Sequence, residues 1–136
     1  MKNILFVCIE NSNRSQMAQA FANIFGTDKV KAYSSGSKPS GKINPKAIAA
    51  MSDLGYDLTT HDSKSLDEIP QVAYEYAITM GCGDECPLVN AKHREDWQLP
   101  DPRNMESEEF NKVRDEIKER VLNLLNKIDC FHKSEL

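Results

Sequence analysis

The beginning of the chain restricts its fold more than any other stretch. Asn3 to Cys8 (NILFVC) is a short continuous apolar run, a polar segment follows at once, and from Gln16 to Phe25 the apolar residues return at helical spacing. A run that short and uniform suits a central parallel strand covered on both faces, where no residue needs to meet water. A helix directly behind it makes a crossover unit, which points to an alternating α/β plan. Met17, Ala18, Ala20, Phe21, Ile24 and Phe25 supply the apolar stripe of that helix, and Gly26 is expected to stop it.

The alternation continues. Val30 to Ser34 reads as a second strand, and Ser34 to Gly41 as a loop rich in Ser and Gly. Asn44 can cap the free amides of a helix that Pro45 pre-sets, running to about Leu54 and ending at Gly55. Tyr74 to Met80 is a third strand, and the Gly81 to Pro87 segment behind it reads as a loop at a strand's carboxyl end. After a weaker apolar patch around Trp97 and a turn at Asp101-Pro102, Ser107 is expected to cap a long final helix. Its apolar stripe runs from Phe110 through Val113, Ile117, Val121, Leu124 and Leu125 to Ile128. The plan is a small parallel sheet with helices on both faces. Ligands of such sheets bind beyond the carboxyl ends of the strands, where Cys8, the 81–86 loop and Asp101 can converge.

At 136 residues the chain has the length of one domain, read as spanning 1–136. Seventeen Lys and Arg against 21 Asp and Glu leave a net charge of -4, which argues against a non-specific nucleic-acid grip. An anionic substrate would have to be met by local positive potential. The apolar run Ile4 to Ile9 is too short for a membrane or secretory segment, so the chain reads as cytoplasmic. In a reducing compartment its four cysteines, Cys8, Cys82, Cys86 and Cys130, are expected to be catalytic, redox-active, metal-binding or buried rather than permanently bridged.

Cys8-Ile9-Glu10-Asn11-Ser12-Asn13-Arg14-Ser15 places a cysteine at a strand end and Arg-Ser at a helix start, five residues apart. A loop of that length can curl its backbone amides inward into a nest for a tetrahedral oxyanion, reinforced by the helix dipole. Arg14 can then grip two oxygens, while the same field and the Ser15 hydroxyl favour a Cys8 thiolate beneath the anion. Taken alone, Cys-x(5)-Arg is common, and an apolar-flanked cysteine at a strand end also reads as a small buried hydrophobe. The strand before, the helix after and Ser behind Arg favour the oxyanion site.

This loop resembles that of the low-molecular-weight tyrosine phosphatase fold, and Asn11 to Ala18 (NSNRSQMA) looks specifically like the arsenate reductases that share it. The likeness continues through Tyr33 to Gly36, Asn44-Pro45, Gly55 to Leu58, Thr79 to Cys82 and Asp96 to Pro102. Gln16 and Glu10 stand where the phosphatases usually carry Pro and Gly, and Asn13 where several relatives carry another cysteine. The resemblance implies a four-stranded parallel sheet flanked by helices in three layers. It also implies a substrate cradle of Ile9, Glu10, Asn11, Ser12, Asn13 and Arg14, with Asp101 as general acid beside Pro102. Arsenate would be the substrate, with phosphate or sulfate as its mimic.

The resemblance further implies a relay in which Cys8 forms the arsenic adduct, Cys82 attacks Cys8 to release arsenite, and Cys86 attacks Cys82. The final disulfide would be reduced by a thioredoxin-like or glutaredoxin-like donor. The gap between Cys82 and Cys86 is shorter than in many of the reductases. A phosphotyrosine phosphatase is the alternative, although the tyrosine pair with which many phosphatases recognise aryl substrates is missing near Asp101. Metal binding by Cys82, Cys86 and His93 is a weaker rival, its spacing matching no standard zinc pattern. No metal or cofactor is expected, nor a nucleic-acid or membrane partner, and the chain is expected to act as a monomer.

Cys130 has no role in the resemblance, and His61 and His132 read as surface or structural residues. Asn11 is expected to take a left-handed conformation and to orient Ser15. Some of the reductases hold potassium beside that Asn with two acidic side chains. Gln19 and Lys64 match those positions here, and the Lys64 ammonium is expected to replace the cation.

Overall fold

The computed structural model describes residues 1–80 and the backbone of 89–134, with side chains to Ile128. Its elements are β1 (Lys2–Cys8), α1 (Arg14–Phe25), β2 (Val30–Gly36), α2 (Pro45–Ser52), β3 (Tyr74–Thr79), β4 (Ala91–Asp96) and α3 (Ser107–Ser134), with short 3-10 turns at Leu58–Thr60 and Leu66–Glu68. The four strands form one parallel sheet in the order β2-β1-β3-β4. The chain leaves β1 toward one edge and returns toward the other, so the carboxyl end of β1, which is Cys8, lies at a point where strand order reverses. Crevices open at such points.

The apolar run of β1 is fully used. Ile4, Phe6 and Cys8 face one large core built with Met17 and Phe21 of α1, Ala47 and Met51 of α2, and Phe110, Ile117 and Leu124 of α3. Leu5 and Val7 face the other way, toward Ile69 and Tyr74, with Leu66 and Val89 packed against them. Among the described residues this second face is covered by the segment carrying the Leu66–Glu68 turn, while all three α-helices contribute to the first.

Several boundaries differ from the sequence reading for local reasons. α1 begins at Arg14 rather than Gln16, which puts Arg14 and Ser15 in its first turn. β2 runs on through Ser35 and Gly36, expected in a loop, because β1 supplies ladder partners as far as Cys8 opposite Gly36. Asn44 caps α2 as expected, accepting from Lys46 N at 2.9 Å, but the helix ends at Ser52 and a turn leads to Gly55 at φ 81°. Ser107 is not the cap of α3: Phe110 N donates to Glu106 O at 2.9 Å, so the helical ladder already starts at Glu106. Gly26 closes α1 without a left-handed turn, at φ -119°. A β-carbon there would come within 2.9 Å of Ala22 O, Leu125 and Val30, so close packing requires the glycine.

β4, with the sequence AKHRED, is the strand that hydropathy does not reveal. It is an edge strand whose Lys92, His93 and Arg94 are exposed, a composition that discourages pairing with other chains. Among the described residues no helix is long and apolar enough to cross a membrane.

Candidate active site

Between β1 and α1 only Ile9 to Asn13 carry the chain around the strand end. The carbonyls of this turn all face outward and are engaged. Cys8 O accepts from Ser37 N at 3.3 Å, Ile9 O from Lys38 N at 2.8 Å and Glu10 O from Ser40 N at 3.0 Å. Ser12 O accepts from Asn44 N at 3.1 Å and Asn13 O from Met17 N at 3.0 Å, while Asn11 O takes Gln16 Nε2 at 3.0 Å. The amides of residues 9–13 are left for the inside, and among the described residues none of them donates. They surround a cavity of about 90 Å³ lined by Cys8, Ile9, Glu10, Ser12, Asn13, Arg14, Asp101 and Arg103. That is the share of about three waters, room for one small polyoxygen ion against a helix start.

Gly36 backs this loop. A β-carbon on it would lie 2.6 Å from Ile9 O and 3.0 Å from Asn11 N, so β2 can approach the turn this closely only without a side chain. Asn11 sits at φ 52° and is wholly buried, the left-handed conformation expected of it. Its Oδ1 accepts from Lys64 N at 2.8 Å and Gln16 Nε2 at 2.9 Å, which turns its Nδ2 to Ser15 Oγ at 2.8 Å. Ser15 Oγ lies 2.8 Å from Cys8 Sγ. A hydroxyl that accepts from Asn11 keeps its own proton for the sulfur, so the geometry suits a thiolate acceptor.

Arg14 is only 6% exposed and donates through Nη1 to Leu99 O at 3.0 Å. Its Nε has no partner among the described residues. A buried guanidinium whose Nε has no partner among the described residues, beside a ring of inward amides, is chemically suited to hold an anion. Asp101 lines the same cavity on a loop that is far more open. Its Oδ1 accepts from Arg103 N at 3.0 Å, and Arg103 Nη1 reaches across to Glu10 Oε1 at 3.0 Å. Lys46 holds this loop from α2, donating to Arg103 O at 3.2 Å and Met105 O at 2.9 Å.

The structure thus brings together Cys8, Ile9, Glu10, Ser12, Asn13, Arg14 and Asp101, with Asn11 and Ser15 just behind. Cys82 and Cys86 lie outside the described residues, as do the side chains of Cys130 and His132. His93 packs its ring on Tyr76, 4.9 Å between centroids.

Lys64 meets Asn11 through its backbone amide, which donates to Asn11 Oδ1 at 2.8 Å in the space beside that side chain. That space holds the Gln16 side-chain amide, whose Nε2 also donates to Asp62 O at 2.9 Å. Gln19 is committed to Ala32 O at 3.3 Å and Ser34 at 2.6 Å. These residues do not fit a potassium site. An amide NH2 already serves the oxygens that a cation would take.

Three contributors escaped sequence reasoning. Gly36 carried no signal of its contact with the turn. Arg103 follows Asp-Pro without any motif of its own. His61 is the structural residue expected, and what went unseen is its link to the cradle: its Nδ1 is 2.9 Å from Gln16 Oε1 and its Nε2 is 2.6 Å from Tyr56 Oη. Burial, and secondarily the Lys64 charge, push its pKa from 6.5 down to about 4 against the opposing pull of Asp62. Its one signal was Gln16, which departs from the phosphatase Pro, yet the two stand 45 residues apart.

The family model described as low molecular weight phosphotyrosine protein phosphatase matches residues 3–133. Among curated proteins, a glutaredoxin arsenate reductase from Synechocystis sp. is 40% identical over 131 residues, 94% of this chain and 99% of its own. Among solved structures, an arsenate reductase in the phosphate binding state superposes with a TM-score of 0.86 at 40% identity, over 94% of this chain and 99% of that one. A thioredoxin-dependent arsenate reductase from Corynebacterium glutamicum superposes with a TM-score of 0.78 at 30% identity, over 96% of this chain and 63% of that one.

Proposed function

This chain belongs to the low molecular weight phosphotyrosine protein phosphatase family, and on that premise we propose that it is an arsenate reductase working by a three-cysteine relay. The observation that carries the reading is the oxyanion cradle: outward carbonyls, inward amides, the free Nε of buried Arg14, and Cys8 facing the proton of Ser15. The likeness to arsenate reductases over nearly the whole chain supports arsenate as the ion that reacts there.

In this mechanism the Cys8 thiolate attacks arsenic(V) held by the amides of residues 9–14 and by Arg14. Asp101 donates a proton to the oxygen that departs as water, leaving a sulfur–arsenic bond. The Cys82 thiolate then attacks Cys8 Sγ. A Cys8–Cys82 disulfide forms, the electron pair of the broken sulfur–arsenic bond stays on arsenic, and arsenic(III) leaves as arsenite. Cys86 attacks Cys82 and returns Cys8 to its thiolate. A dithiol protein reduces the Cys82–Cys86 disulfide by two further exchanges. Relatives described as a glutaredoxin arsenate reductase and as thioredoxin-dependent support a glutaredoxin-like or thioredoxin-like protein as that donor.

The test begins with fully reduced protein and arsenate. Two thiols lost per arsenite formed, with a Cys82–Cys86 bridge found by mass spectrometry, is the expected result. Rapid hydrolysis of an aryl phosphate without any arsenite would replace this reading with a phosphatase. Because the Gln16 amide serves Asn11 and Asp62, turnover is expected to be equal in sodium and potassium buffers. A marked rise in potassium would refute that.

A further inference from the structure

Behind the cradle, on the side of Cys8 away from the anion, the hydrogen bonds do not end at Asn11. Gln16 Nε2 faces three oxygens, Asn11 O, Asn11 Oδ1 and Asp62 O, at 2.9 to 3.0 Å, so its amide can be placed only one way round. Gln16 Oε1 therefore points to His61 Nδ1 as an acceptor, and that nitrogen must carry the proton. In a neutral imidazole Nε2 is then bare, so Tyr56 Oη, 2.6 Å away, donates to it. Tyr56 Oη itself accepts from Asn23 Nδ2 at 3.1 Å.

Followed inward, each group accepts from the one outside it and donates to the one inside it. Tyr56 donates to His61, His61 to Gln16, Gln16 to Asn11, Asn11 to Ser15 and Ser15 to the Cys8 sulfur. We propose that Tyr56 and His61 are positioning residues for Cys8, the outer members of a one-directional row of hydrogen bonds that polarises the Ser15 hydroxyl and favours the sulfur in its thiolate form. This rests on the reading of Cys8 as the nucleophile.

The physical basis is cooperativity. A donor that is itself accepting a hydrogen bond donates more strongly, and the gain is largest where water cannot compete. Asn11, Ser15 and Gln16 are all wholly buried. The charged neighbours of His61 are Lys64 and Asp62, of opposite sign. The neutral ring that the row requires is the form that burial favours. The row enters from the side opposite the substrate, so it can stiffen the nucleophile without narrowing the anion cavity.

The experiment is iodoacetamide alkylation of the full-length reduced protein, followed at the Cys8 peptide by mass spectrometry at pH 7 and again above pH 9.5, where thiols are ionised regardless of surroundings. Tyr56→Phe keeps the ring and removes only the outer donor, and His61→Leu cuts the row. His61→Gln can still donate to Gln16 and accept from Tyr56. Tyr56→Phe and His61→Leu are expected to slow alkylation at pH 7 by about two- to fivefold and to leave the high-pH rate unchanged, with His61→Gln close to wild type. A change in access or folding would move both rates together.

Equal pH 7 rates in wild type and Tyr56→Phe, with Cys8 reacting fast in both, would overturn the row while leaving Cys8 as nucleophile. So would a parallel loss at both pH values. Slow alkylation of wild-type Cys8 at pH 7, typical of an ordinary thiol, would instead overturn the nucleophile reading, and the row with it.

Discussion

The two walls of the candidate site are built on opposite principles. The cradle wall is mostly buried and its carbonyls are all bonded: each carbonyl from Cys8 to Asn13 has a donor, and Asn11, Ser15 and Gln16 have no solvent exposure. The facing wall, from Leu99 to Met105, holds its carboxylate in the open. The Asp101 side chain is 45% exposed and that of Arg103 is 54% exposed. A few tethers, from Arg14, Lys46 and Glu10, hold this wall in place. Dipoles aimed at an anion act best when they need no reorganisation, so the cradle is fixed in advance. A general acid must exchange its proton with water on every turnover, so a wall that stays wet suits Asp101.

Deleting the proposed nucleophile gives the largest effect this contrast predicts. Cys8→Ser should lower arsenate turnover by on the order of 10⁴ or more, while a sulfate or phosphate ion still binds the intact amides. Calorimetry with sulfate checks the second half. If anion binding vanishes too, the cradle depends on the thiol and is not the preformed wall described here.

Asp101→Asn comes next. It should cost about 10²- to 10⁴-fold in turnover and leave sulfate affinity within a factor of a few, since in the proposed mechanism the carboxylate serves the departing oxygen rather than binding. A loss confined to affinity would move Asp101 from acid to binding residue.

Gly36→Ala tests the rigidity of the cradle itself. With 2.6 Å available to Ile9 O, the added carbon must displace the turn, and a loss of about 1 to 3 kcal/mol in unfolding free energy is expected, together with weakened sulfate binding. Denaturant melts with and without sulfate measure both. A stable variant that binds sulfate as before would show that the turn yields as readily as the acid loop.

Much of the cradle was legible beforehand because its requirements are local. A strand-end cysteine, Arg-Ser at a helix start and an Asn that tolerates positive φ all fall within eight residues. The approximate positions of α1 and α3 followed from apolar spacing, and that of α2 from Asn44, Pro45 and Gly55. Contacts between distant segments remained hidden: Gly36 under the turn, Lys46 beneath the acid loop, and His61 against Gln16. Each depends on which strand end meets which, and side-chain type alone does not report that. β4 stayed hidden for a different reason. An edge strand can be polar on both faces, and hydropathy has nothing to detect there.

His61 gives a smaller, pH-dependent effect on the cradle side. Unfolded, it takes up its proton near 6.5, and folded only near 4, so between those values the unfolded chain binds more protons. Its contribution to stability is therefore complete above about pH 6.5 and is lost progressively as pH falls toward 4. Urea midpoints from pH 7 to 4 should fall less steeply in His61→Gln than in wild type. Parallel slopes would mean that this ring is solvated like the residues of the open wall.

The smallest effect lies where the two walls meet. Glu10 and Arg103 are joined at 3.0 Å, but their side chains are 37% and 54% exposed, so water and salt compete with the pair at both ends. Such pairs couple by about 0.2 to 1 kcal/mol. A double-mutant cycle with Glu10→Gln and Arg103→Met, read by urea unfolding at low and high salt, should return a coupling in that range that shrinks as salt is added. A salt-insensitive coupling above about 2 kcal/mol would be the value of a desolvated contact. The acid loop would then be locked to the cradle as firmly as the cradle is to itself, and the contrast between a fixed wall and a wet one would fail at the point where they touch.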